Sequence, residues 1–127
     1  MIVANLLGAK FVWTLDDDGL PSESCLANLY AVARSTNFQI FCPLSLDILD
    51  ESRTANPYLV LLRKQNKRSF FESKNLWPNV GQFFNGVLFL MDIFQSIGYP
   101  NEKLFIRGDE IDFYWRAQEN KVKIVLV

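Results

Sequence analysis

The chain has 127 residues, 50% of them hydrophobic and 14% aromatic. That suffices for one modest domain with a single core and is too apolar for a disordered segment. A net charge of −1 leaves no basic footprint for nucleic acid, and the lack of any histidine removes Ser-His, Cys-His and His-ligated zinc chemistry. Cys25 and Cys42 lie in apolar surroundings without metal-ligand spacing and read as reduced core thiols. No N-terminal stretch reads as a signal peptide. The most apolar run, "FFNGVLFLMDIF", is broken by Asn85 and Asp92 and is too short to span a bilayer.

In chain order, "IVANLLGAK" reads as the end of a helix, with Gly8 just past its last turn. "KFVWTL" is β-branched and aromatic, as a strand buried on both faces would be. Gly19 and Pro21 turn the chain, Ser22 can cap a helix, and Cys25, Leu26, Leu29, Tyr30 and Ala33 recur at helical spacing. "FQIFCPL" reads as a second buried strand closed by Pro43. Residues 50–80 sustain no period and read as a long excursion holding a hairpin, "YLVLLRKQNKRSFFES", with "KQNK" at its turn. "QFFNGVLFL" is strand-like again. Asp92 can cap the short helix "IFQSIG", which Gly98 and Pro100 stop. "DEIDFYWRAQENK" is a helix with acidic residues early and basic ones late, in favourable register with its dipole, and "VKIVLV" is a last strand.

Strands alternating with helices predict an α/β class with a mixed sheet flanked by helices. Both ends read as cut, and "VKIVLV" or the "KFVWTL" flank is expected to be left as an open apolar edge that favours self-association.

Two carboxylate clusters carry the chemistry. Asp16, Asp17 and Asp18 follow "FVWTL" directly. Ligands in open α/β sheets bind beyond the carboxyl ends of strands, and hard oxygen donors suit Mg²⁺ or Mn²⁺ with phosphate oxygens and water completing the shell. The bland alternative is a solvated loop with a helix-capping Asp. Asp109, Glu110 and Asp112 stand in "RGDEIDFYWR", at the first turn of a predicted helix. Carboxylates there are common and mildly stabilising. These follow the apolar "KLFI" and lie beside aromatics, where burial would partly desolvate an acid suited to general-base work.

Taken together, "WTLDDDGLPSESCLANL" resembles the metal-binding segment of family 2 glycosyltransferases of the GT-A fold, in which an apolar strand ends in Asp-x-Asp. "FFNGVLFLMDIFQSIGYPNEKLFIRGDEIDFYWRAQENKVKIV" resembles the later half of that domain, and "FCPLSLDILDES" is similar to the strand between them in members that use rhamnose or galactofuranose donors. The resemblance implies a single partial GT-A, Rossmann-like domain over residues 1–127, holding the metal, diphosphate and acceptor half and lacking the N-terminal part that binds the nucleotide base. It implies metal-dependent transfer of a sugar from a nucleotide-sugar donor to the hydroxyl of a glycan or lipid-linked acceptor, with inversion, in cell-surface polysaccharide synthesis. Asp16 and Asp18 would hold the metal, and Asp16, Asp17 and Asp18 the donor diphosphate. Glu110 would be the general base, where many relatives have Asp, and Asp109 would orient the acceptor. Asn85 and Gly86 would line the acceptor side, while Asp112 and Arg116 support the helix. A cytoplasmic location, peripheral at the inner membrane face, goes with it. The family's histidine after the last strand has no counterpart here.

Two readings compete. "LDDDGL" also matches the D-x-D-G of haloacid-dehalogenase-like, Mg²⁺-dependent phosphatases, with Asp16 as nucleophile, Asp18 as acid/base, and Asp109 and Asp112 on the metal. Leu20 stands where that family has Thr or Val. A non-catalytic accessory domain that keeps the fold and binds a protein partner is the other.

Overall fold

Short apolar runs such as Ile40–Cys42, Leu88–Leu90 and Ile124–Leu126 form the buried strands, and the segments at 3.6-residue spacing form the two longer helices. The computed structural model describes residues 1–17, 19–104 and 108–127, without the side chain of Glu102. In chain order the elements are α1 (Ile2–Leu6), β1 (Phe11–Trp13), α2 (Cys25–Ser35), β2 (Ile40–Cys42), β3 (Arg53–Val60), β4 (Arg63–Lys67), α3 (Arg68–Phe71) and β5 (Trp77–Pro78). β6 (Leu88–Leu90), α4 (Ile93–Ile97), a 3-10 turn (Glu102–Leu104), α5 (Asp109–Glu119) and β7 (Ile124–Leu126) complete them.

Five strands form a mixed sheet in the order β1-β6-β2-β7-β5, and β3 and β4 form a separate hairpin. β6 runs antiparallel to both β1 and β2, while β2 and β7 are parallel. Alternate residues of a strand face opposite sides, and both sides here are filled. Phe41, Leu88 and Val125 pack with Leu29 of α2 on one face. Ile40, Cys42, Phe89, Ile124 and Leu126 pack with Phe94, Phe113 and Ala117 of α4 and α5 on the other. This is the mixed α/β sheet flanked by helices that the sequence predicts. The predicted helix end at Gly8 is present as a Schellman cap. Gly8 has φ +73, its N–H donates to the carbonyl of Asn5, and that of Ala9 to Ala4.

Several expectations change. β7 is no open edge: all three residues are buried, with β2 on one side and the two-residue β5 on the other. β1 is half-buried rather than buried on both faces, because it lies at the sheet margin over an open apolar recess of about 550 Å³ lined by Phe11, Trp13, Leu26 and Tyr30. The N-cap of α2 is Ser24, and Ser22 instead accepts the N–H of Cys25 through its carbonyl. Asp92 occupies the N-cap position of α4 without a side-chain capping bond. Cys42 is buried, and Cys25 is half-buried and packed against the core beside Leu29; both are free.

The hairpin turns at Leu61 and Leu62, and "KQNK" lies within β4. Burial decides the register, since a one-residue slip would move every side chain to the other face. Tyr58 and Val60 point inward, and the Tyr58 ring packs 5.0 Å from that of Phe71. Its hydroxyl accepts the N–H of Ser45 at 3.2 Å and donates to the carbonyl of Pro43 at 3.4 Å. Burial pushes the Tyr58 phenol up to about 12 and raises the Cys42 thiol well above its ordinary range.

Candidate functional site

Beyond Trp13 the first strand is carried one residue further by Thr14, whose N–H and hydroxyl both donate to the carbonyl of Val87, at 2.9 and 3.3 Å. The chain then leaves the sheet. Asp16 and Asp17 are exposed, and the N–H of Gly19 returns to the carbonyl of Asp16 at 3.3 Å. Asp18, expected to hold metal with Asp16, lies outside the described residues. Gly19 lies close to Asn85: a Cβ there would stand 2.2 Å from the Asn85 side-chain oxygen, so that side chain would have to turn away. The loop before β6 thus lies directly against the acidic turn.

That loop is fixed from two sides. Gly86 has φ +73, its carbonyl accepts the Trp13 indole N–H at 2.9 Å, and a Cβ on it would stand 2.8 Å from Cγ of Pro43. The end of β1, the loop before β6 and the end of β2 therefore meet. Strand direction explains this, because β6 runs against parallel neighbours and its start joins their ends. The end of β7 is at the same edge, with Val127 N–H bonded to the carbonyl of Cys42 at 2.9 Å.

α5 begins after Gly108, whose φ of +97 suits glycine. Asp109 is half-buried and Glu110 exposed. Asp112 is held by Arg116, with oxygen–nitrogen distances of 2.7 and 2.9 Å. Arg116 also donates to the carbonyls of Ile97 and Tyr99, tying α5 to the end of α4. Asp112 and Arg116 thus support the helix, as expected. One turn along α5, Phe113 meets the rings of Phe83 and Phe84 at 5.9 and 5.6 Å, and Tyr114 meets Phe83 at 5.6 Å. The segment that leads into Asn85 and Gly86 is therefore packed on the start of α5.

Gly19, at the end of the acidic turn, thus stands beside Asn85, and the Asp109–Glu110 turn belongs to a helix packed on the same loop. Among the described residues no group of three His, Cys, Asp or Glu side chains is arranged to hold a metal ion. The donors at the end of β1 are carboxylates, the type that suits Mg²⁺, an ion commonly held by one or two carboxylates together with substrate phosphates. The residues that support this edge, Trp13, Thr14 and Pro43, carry no mark of that role in the sequence. Only the Asn-Gly pair before an apolar run signalled a backbone constraint there.

The chain is similar to a galactofuranosyltransferase of Mycolicibacterium smegmatis, 32% identical over 123 residues, and to one of Mycobacterium tuberculosis, 35% identical over 120 residues. The chain resembles glycosyltransferases. The matches cover 91% of this chain and 41% and 40% of those two relatives. A low-salt glycan biosynthesis hexosyltransferase of Haloferax volcanii is 26% identical over 122 residues, covering 93% of this chain and 40% of its own. The chain thus spans about two fifths of the length of these glycosyltransferases. No family model and no solved structure matches it.

Proposed function

We propose that this chain is the diphosphate- and acceptor-binding region of a metal-dependent glycosyltransferase of the GT-A type, family 2, acting in glycan synthesis on a nucleotide-sugar donor and a glycan or lipid-linked acceptor. The observation that carries the reading is the contact between Gly19 and Asn85, which joins the acidic turn after β1 to the loop packed on α5. The similarity to named galactofuranosyl- and hexosyltransferases supports it and does not favour a phosphatase or a non-catalytic accessory domain.

In this reading Asp16, Asp17 and Asp18 would bind the donor diphosphate, and Asp16 and Asp18 would hold Mg²⁺ or Mn²⁺. When bound, the ion neutralises charge on the leaving diphosphate. Asn85, steadied by Gly19, and Gly86, held by Trp13 and Pro43, line the acceptor side. Glu110 is exposed on the first turn of α5 and takes the proton of the acceptor hydroxyl, while Asp109 orients the acceptor. Attack from the side opposite the diphosphate inverts the anomeric centre.

Two measurements test this. Mn²⁺ with a nucleoside diphosphate should raise the melting temperature, since a ligand bound only to the native state stabilises it by mass action. Asp16→Asn should remove most of that shift and Glu110→Gln should retain it. Sugar transfer from a panel of nucleotide-sugar donors should fall about a hundredfold or more in Glu110→Gln, the scale of a positioned general base. Normal turnover in Glu110→Gln with loss in Asp109→Asn would move the base to Asp109. An unchanged Mn²⁺ shift in Asp16→Asn together with normal turnover in both α5 variants would refute the site.

A further inference from the structure

We propose that the tip of the β3–β4 hairpin is a docking element for an anionic phospholipid bilayer. The proposal does not rest on the sugar-transfer reading. Leu59, Leu61 and Leu62 are 64%, 92% and 91% exposed, and they cluster at one end of the hairpin. Isolated exposed leucines are ordinary, but three at one tip form a patch that favours removal from water.

The backbone argues that these side chains are not there for the turn. Leu61 and Leu62 have φ of +49 and +64. A two-residue turn with both φ values positive prefers Asn-Gly, because the Cβ of most residues crowds the following carbonyl in that conformation. Leucine at both positions works against the hairpin and contributes nothing to the core. Strain of this kind at an exposed tip points to a use outside the fold.

Charge selects the occupant. Residues 53–67 contain Arg53, Arg63, Lys64 and Lys67 and no Asp or Glu, in a chain whose net charge is −1. Arg63 and Lys64 follow the two leucines directly. Lys64 pairs with Leu59 across the strands, so the two share a face. A lysine there can lay its aliphatic stem along the leucine and lift its ammonium away from the tip. Leucines outermost with cations immediately behind them match the order of acyl chain and phosphate at an anionic bilayer surface. Tyr58 anchors the strand to Pro43 and Ser45, so the tip is presented from a packed base.

The test is co-sedimentation of the chain with vesicles of phosphatidylcholine alone and of phosphatidylcholine mixed with phosphatidylglycerol. Binding should favour the mixed vesicles and weaken as salt is added. The Leu61→Asn, Leu62→Gly double variant should bind about tenfold less or weaker still. It should melt no lower than the unaltered chain, because Asn-Gly suits this turn. Arg63→Glu with Lys64→Glu should abolish the preference for anionic vesicles. A Leu62→Trp reporter should shift to shorter emission wavelengths on addition of the mixed vesicles. No binding to either vesicle would overturn the proposal, as would equal binding by the Asn-Gly variant. If that variant instead dissolved a dimer and left vesicle binding unchanged, the tip would be a self-association surface and the proposal would fail.

Discussion

Replacing Gly86 with alanine tests whether the loop that holds Asn85 is built as described. Gly86 and Gly8 share a φ of +73, but their surroundings differ. A Cβ at Gly8 meets nothing within 4 Å, whereas one at Gly86 would stand 2.8 Å from Cγ of Pro43. Gly8→Ala should therefore cost only the left-handed backbone term, about 1–2 kcal/mol. Gly86→Ala adds an overpacking term of about 1–3 kcal/mol. The sum, about 2–5 kcal/mol, corresponds to a fall in Tm of roughly 6–20 °C for a chain of this size. Urea unfolding followed by tryptophan fluorescence supplies the numbers, and Trp13 reports directly because its indole donates to the Gly86 carbonyl. Pro43→Ala should recover part of the overpacking cost in a double-mutant cycle, with a coupling of about 1–2 kcal/mol. If Gly86→Ala were no worse than Gly8→Ala and showed no coupling to Pro43, the loop would not be clamped by β2, and the placement of Asn85 against Gly19 would lose its support.

Arg116→Met should destabilise by about 2–3 kcal/mol in urea, because it leaves the carbonyls of Ile97 and Tyr99 without their charged donor; Asp112→Asn, which keeps those bonds, should cost about 1 kcal/mol. Gly81→Ala should lower the urea midpoint by an amount equivalent to about 1–3 kcal/mol, since its Cβ would stand 2.5 Å from Sγ of buried Cys42 and 3.2 Å from Ile124. Tyr58 has its pKa raised in the folded state, so its stabilisation is complete below the ordinary value of 10.0 and is lost as pH rises toward about 12. That loss amounts to about 2–3 kcal/mol. Tyr58→Phe should flatten this part of the stability–pH curve, leaving the decline that begins near pH 9 from Cys42; parallel curves for the two proteins would refute the assignment.

The elements with strong local signals were legible in the sequence. β2 announced itself as an apolar run ended by Pro43, α4 by its Gly98 stop, and α5 by charges ordered along its dipole. The hairpin turn was not legible, because Leu61 and Leu62 carry no turn chemistry while "KQNK" does; the burial of Tyr58 and Val60 overrode that preference. β5 was hidden for a related reason. It is Trp77–Pro78, two residues ending in a proline, and without it β7 reads as an edge. The positions of the acidic turn and of Asn85–Gly86 along the chain were visible as residues worth attention. Their juxtaposition was not, since it follows from β6 entering between β1 and β2 against their direction, and no local period encodes that choice.

The placement of β6 also bears on how the molecule opens. Phe11 pairs with Leu90 and Ile40 with Ile124, so the central sheet closes only when the two ends of the chain meet, whereas Val60 pairs with Arg63 almost at once. Contacts between residues far apart in sequence form slowly, after a large loss of chain entropy, so the hairpin can assemble before the sheet. The Thr14 amide, bonded to the Val87 carbonyl, sits in the late-forming part, beside the acidic turn. Its exchange with solvent deuterium should require only that half-buried β1, at the sheet margin, separates from β6, while amides of buried β2 and β7 wait for unfolding of the whole sheet. The edge that carries the candidate chemistry would then open before the centre of the sheet does.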